Sequence, residues 1–127
     1  MSQTPLRDIL YVDDDPQMQM LVKNVLEGSG GLRVTLCQSA MEILEKAIET
    51  QPQLIMLDYM MPIMNGADIL EEIMNDPRIN KTPVIFLTSK ASDRDRAKLM
   101  SAGAKGVIAK PFDLVTLPDQ VRKIWEY

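Results

Sequence analysis

The chain has 127 residues, the length of one domain, and a chain of that size buries roughly 68% of its unfolded surface, enough for a core without covalent staples. Its 14 basic and 18 acidic residues leave a net charge of -4. That is no basic surplus for releasing counterions from DNA or RNA, so nucleic acid is not an expected partner. One Cys and no His exclude an internal disulfide, His-based triads, zinc sites of N/S ligands and a phosphohistidine carrier role. A metal would have to be held by oxygen, which points to Mg2+ or Ca2+. No apolar run approaches the ~20 residues that span a bilayer, and the polar start Met1 to Arg7 has no signal-peptide apolar segment. The expectation is a soluble, cytoplasmic protein with no membrane insertion.

The chain alternates short β-rich runs with helical periodicity. Asp8 to Val12 reads as the first strand, stopped by Asp13-Asp14-Asp15-Pro16, with Asp15 as N-cap and Pro16 in the first helical position. Met18, Leu21, Val22, Val25 and Leu26 then recur at helical spacing until Gly28-Ser29-Gly30-Gly31 ends the helix. Leu32 to Cys37 alternates apolar and polar residues as a half-exposed strand. Ser39 and Glu42 have the spacing of a capping box, ahead of an apolar stripe at Ile43, Leu44, Ala47 and Ile48.

Leu54 to Leu57 is an unbroken apolar run ending at Asp58, as in a central strand buried on both faces. A loop from Pro62 to Gly66 leads into a helix marked by Ile69, Leu70, Ile73 and Met74. Val84 to Leu87 is a second apolar run, ending at Thr88-Ser89. Ser92 and Asp95 suggest a cap on a polar helix reaching Ala102, with Gly103 as C-cap. The strand Gly106 to Ala109 leads into Lys110-Pro111, and the last helix starts at about Leu117 with Pro118 in its first turn. Met18, Met56 and Met74 fit core positions, while Met60, Met61 and Met64 cluster after Asp58. Five β-α units in succession argue for a parallel sheet with helices on both faces, and right-handed crossovers favour an open, doubly wound α/β sheet.

Ligands of such sheets bind outside the carboxyl ends of the strands. There the first strand delivers Asp13-Asp14, the third Asp58, the fourth Thr88-Ser89 and the fifth Lys110. Crowded carboxylates repel, and a divalent cation removes the conflict. Mg2+ is usually held by one or two carboxylates together with phosphate oxygens. Thr88 and Lys110 are suited to hold a phosphoryl group, Lys as a compact point charge. A carboxylate can also act as nucleophile and become an aspartyl-phosphate, and Asp58 at the end of a buried strand is the candidate.

In these pieces the sequence resembles the receiver domain of two-component response regulators. The matching segments are Ile9 to Pro16, Leu57-Asp58-Tyr59-Met60-Met61-Pro62 with Asn65-Gly66, Leu87-Thr88-Ser89, and Ala109-Lys110-Pro111-Phe112. Asp14, Asp58, Thr88 and Lys110 are separated by 44, 30 and 22 residues. The resemblance runs from about Arg7 to Trp125, with residues 1–127 expected as one domain and no output domain. It implies a flavodoxin-like sheet of order 2-1-3-4-5 flanked by five helices. By resemblance, Asp58 is the phosphoacceptor, and Asp13 and Asp14 organise Mg2+, with Asp14 the more direct ligand. The Met60 backbone carbonyl completes the metal set, Lys110 pairs with the phosphoryl group, and the Thr88 hydroxyl moves onto its oxygens.

The implied phosphodonor is a phosphohistidine of a histidine kinase or histidine phosphotransfer protein, consistent with the absence of His here. The implied output is contact with a downstream protein target or a phosphorelay, from a monomer or a weak phosphorylation-dependent dimer. Two positions stand out against the family. The aromatic residue that many receivers carry three residues before the Lys is Val107, so the expected output movement rests on the loop and helix after the fourth strand. Met60 and Lys90 lie where the family's hydrolytic water passes. Two other readings stay open: a small Mg2+-dependent aspartyl phosphatase using Asp13 and Asp15, disfavoured by Pro16, and an unphosphorylated scaffold of receiver fold.

Overall fold

The computed structural model describes residues 4–60 and 66–126. Its strands are β1 (Asp8–Val12), β2 (Arg33–Cys37), β3 (Leu54–Asp58), β4 (Val84–Thr88) and β5 (Gly106–Ala109). Its α-helices are α1 (Pro16–Gly28), α2 (Ile43–Thr50), α3 (Gly66–Asn75), α4 (Asp93–Ala102) and α5 (Leu117–Glu126). The strands form one parallel sheet in the order β2-β1-β3-β4-β5, the doubly wound, flavodoxin-like arrangement expected.

Side-chain alternation along the strands divides the core in two. Leu10, Val12, Ile55, Leu57, Val84, Phe86 and Val107 face Ile43 and Ala47 of α2, Ile69, Leu70 and Ile73 of α3, and Leu99 of α4. Ile9, Tyr11, Val34, Leu54, Met56, Ile85, Leu87 and Ile108 face Val22 and Leu26 of α1 and Leu117 and Val121 of α5. β3 and β4 are buried along their whole length, which is why their sequences are apolar runs and not alternating ones.

The helix ends follow local chemistry. Asp15 caps α1, its Oδ1 accepting from the backbone N–H groups of Gln17 and Met18. Gly103, with φ of 118°, closes α4. Ser92 caps the same helix: its Oγ accepts from the Asp95 N–H at 3.1 Å and donates to Asp95 Oδ2 at 2.9 Å. The indole N–H of Trp125, near the end of α5, donates to the Thr4 carbonyl ahead of β1 at 3.0 Å.

Several expectations need correction. Ser39 and Glu42 do not form a capping box. Ser39 Oγ accepts from the Met41 N–H, residues Ala40–Glu42 make a 3-10 turn, and α2 starts one residue later without a side-chain cap. β2 begins at Arg33 instead of Leu32. Leu21 and Met74, expected in the apolar stripes, are 48% and 43% exposed; each lies at the margin of a stripe whose centre is already filled. The loop expected from Pro62 and the residues Met61 and Met64 lie outside the described residues.

Glu27 joins α1 to β2, its Oε2 accepting from the Val34 N–H and from Lys23 Nζ, each at 3.0 Å. The backbone bond from Val34, then Lys23, holds its carboxyl below the usual range. A lowered native pKa stabilises the fold above the unfolded-state pKa, and that stabilisation is lost as pH falls through the native one. Glu27→Gln is therefore expected to unfold at lower denaturant than wild type near pH 7, with the gap closing below pH ~4. Denaturant titrations at the two pH values read this directly.

Candidate functional site

At the carboxyl edge of the sheet, β1 and β3 are hydrogen-bonded neighbours, so the residues that leave them meet. Asp13, Asp14 and Asp58 each bring a carboxylate oxygen within 4.8 Å of the others. Asp13 and Asp58 are buried, 1% and 5% exposed, while Asp14 faces solvent. An all-oxygen donor set with one open side suits a hard divalent cation, and Asp13, Asp14 and Asp58 are the side chains that would hold Mg2+.

From beyond β5, Lys110 Nζ reaches Asp58 Oδ1 at 3.2 Å. The Met60 N–H donates to the same oxygen at 3.2 Å. The Lys110 N–H donates to the Thr88 carbonyl at 2.8 Å, and the Lys110–Pro111 peptide is cis. Burial pushes the Asp58 carboxyl above its usual range, and the Asp13 charge adds to this; Lys110 and the Met60 N–H act against them.

Thr88 ends β4, one residue beyond the Asp58–Leu87 pairing. It is 1% exposed, and its Oγ1 accepts from the Lys90 N–H at 2.9 Å. That bond closes a tight turn with the hydroxyl facing inward. Met60 is 54% exposed. Gly66 opens α3 where an added Cβ would lie 2.6 Å from Phe86 Cε1 and 2.9 Å from Tyr59 Cδ1, so a larger residue there would displace the ring edge-on to Tyr59.

Two groups escaped the sequence reading. The Tyr11 hydroxyl donates to Asp13 Oδ2 at 2.6 Å; the two-residue spacing from the end of β1 was the available signal. Arg96 of α4 donates through Nε to the Ala91 carbonyl at 3.1 Å and through Nη1 to the Val107 carbonyl at 3.0 Å, linking the loop after Thr88 to β5.

A parallel sheet of this order with such a carboxylate cluster at its edge is the architecture of a receiver domain. Residues 9–122 match the family described as response regulator receiver domain, and the chain belongs to that family. It is 34% identical over 116 residues to response regulator Rre1 of Synechocystis sp., covering 91% of this chain and 48% of that protein. It is 31% identical over 118 residues to chemotaxis protein CheY-3 of Vibrio cholerae, covering 93% of this chain and 91% of that one. Among solved structures, the chemotaxis response regulator CheY4 of Vibrio cholerae superposes with a TM-score of 0.85 at 26% identity, covering 94% of this chain and 98% of that one. The chain spans about half the length of Rre1 and of the probable transcriptional regulator ycf29 of Pyropia yezoensis, 48% and 47%. It is a receiver of the CheY-like type, a class that serves two-component signalling.

A raised native pKa at Asp58 means that its ionised form costs stability above the unfolded-state pKa, and that the cost vanishes once acid protonates both states. In metal-free buffer, Asp58→Asn is thus expected to melt higher than wild type near pH 7 and to lose that advantage below pH ~4. Calorimetry in the presence of a chelator provides the test.

Proposed function

We propose that this receiver accepts a phosphoryl group from a phosphohistidine onto Asp58 in a Mg2+-dependent reaction. The observation that carries the reading is the buried Asp58 carboxylate held 3.2 Å from Lys110 and within 4.8 Å of Asp13 and Asp14. One Asp58 oxygen attacks phosphorus in line, the N–P bond of the donor breaks, and the imidazole keeps the electron pair and takes a proton. When bound, Mg2+ supplies positive charge for the carboxylates and for the oxygens of the incoming group.

The chain's own part is positioning and electrostatics. Lys110 exchanges its contact with the carboxylate for one with the phosphoryl oxygens. Thr88 releases the Lys90 N–H and turns its hydroxyl toward the same oxygens. The β4–α4 loop that follows Thr88 is tied at Ala91 through Arg96 to Val107 of β5. Val107 is buried among Phe86, Leu99 and Ala104, so the loop and α4 carry the change outward without a swinging aromatic ring. The altered face then recruits a downstream protein or takes part in a phosphorelay in the cytoplasm.

The donor has a place to rest. Met18 and Leu21 of α1 with Pro111, Phe112 and Leu114 line an apolar groove of about 340 Å³ whose rim includes Ser89 and Lys110. A helix presenting the donor imidazole can seat its apolar side there while the ring faces Asp58. The bulky exposed Leu21 is the side chain such a helix would cover.

Incubation with Mg2+ and acetyl phosphate is expected to give an acid-stable, base-labile adduct of one phosphoryl group, mapped to Asp58 and lost in Asp58→Asn. Absence of an adduct would leave the scaffold reading, and turnover of phosphomonoesters dependent on Asp13 would favour the phosphatase. Leu21→Asp is expected to slow transfer from a phosphohistidine protein at least about 10-fold, equivalent to ~1.4 kcal/mol. Its rate with acetyl phosphate should match wild type. Equal slowing with both donors would count against the groove as the docking surface.

A further inference from the structure

β1 carries a polar group that the transfer reaction leaves without a role. Tyr11 is fully buried on the face of the sheet covered by α1 and α5, among Ile9, Val22, Leu26, Met56 and Leu87. A tyrosine hydroxyl in apolar surroundings needs a partner, and this one spends its proton on Asp13 Oδ2 at 2.6 Å, within the short range of charge-assisted O–H···O bonds. The Asp15 N–H donates to the other oxygen, Oδ1, at 2.9 Å. The Asp13 carboxylate is therefore gripped from both ends, and turning it breaks two hydrogen bonds at once. Burial and the neighbouring carboxylates push the Tyr11 hydroxyl far above its ordinary range, so the group remains a donor.

We propose that Tyr11 is a positioning residue for the divalent cation: its hydroxyl fixes the Asp13 carboxylate in the orientation that faces Asp14 and Asp58. The inference rests on the reading of these carboxylates as a Mg2+ site. Three negative groups within 4.8 Å repel, and an untethered carboxylate relieves the repulsion by rotating away. The Tyr11 hydroxyl opposes that rotation. A carboxylate offers about four lone-pair directions, and the two donors occupy two of them, so the remaining ones stay available to the cation or its water. The oxygen ligands are arranged before the ion arrives, and less reorganisation opposes its binding.

Tyr11→Phe retains the ring in its apolar site and removes only the hydroxyl. By calorimetric titration with Mg2+ alone, the variant is expected to bind the ion about 10-fold more weakly than wild type. The rise in melting temperature that Mg2+ produces should shrink in step, a comparison that works even where the variant starts less stable. With acetyl phosphate, the Mg2+ concentration for half-maximal rate should rise by the same factor, while the rate at saturating Mg2+ stays within about two-fold of wild type, since the hydroxyl acts through ion binding and not on phosphorus. A role confined to folding would lower the metal-free melting temperature and leave the affinity alone. Equal or tighter Mg2+ binding by Tyr11→Phe overturns the proposal while the cation reading stands. Failure of the wild-type protein to bind Mg2+ overturns both.

Discussion

The receiver is organised around an electrostatic conflict at Asp58. Burial and the Asp13 carboxylate oppose its charge, and Lys110 answers them from the far side at 3.2 Å. A buried carboxylate beside another is costly unless a cation is close and well placed. The fold supplies that placement through backbone registers: β1 beside β3 sets the carboxylates together, and the Lys110 N–H on the Thr88 carbonyl aims the ammonium. Apolar runs in β3 and β4 make these registers hard to shift, since a slip by one residue would move every side chain to the opposite face.

The unresolved part of that conflict is chemically useful. Lys110 compensates Asp58 incompletely, so its carboxyl remains above the usual range, and further positive charge at the site is favoured. A site satisfied in advance would have little to gain from a cation. Preorganisation is concentrated instead in a group that need not move: Asp13, held between Tyr11 and Asp15.

Much of this was legible in the chain. The alternation of apolar runs with helical stripes gave the layers, and the residues at the strand ends gave the meeting of Asp13, Asp14, Asp58 and Lys110, because parallel strands deliver their carboxyl ends to one edge. What stayed hidden depended on geometry that periodicity does not carry. Ser39 and Glu42 have capping-box spacing, yet the chain tightens into a 3-10 turn between them. Leu21 fits a helical stripe but lies half exposed at its margin, in the wall of the apolar groove. Tyr11 reads as one more strand residue until its hydroxyl is seen on Asp13. Arg96 reads as one charge in a polar helix, although its guanidinium donates to the backbone carbonyls of Ala91 and Val107.

The single tryptophan has a use in the laboratory that follows from its address. Trp125 lies on α5 with its indole N–H on the Thr4 carbonyl, at the amino-terminal edge of the sheet, the full length of the strands away from the carboxylates. Its emission therefore reports whether α5 and the segment before β1 stay docked. Unfolding of that edge can be followed by fluorescence, whereas occupancy of the carboxylate edge calls for a probe placed there.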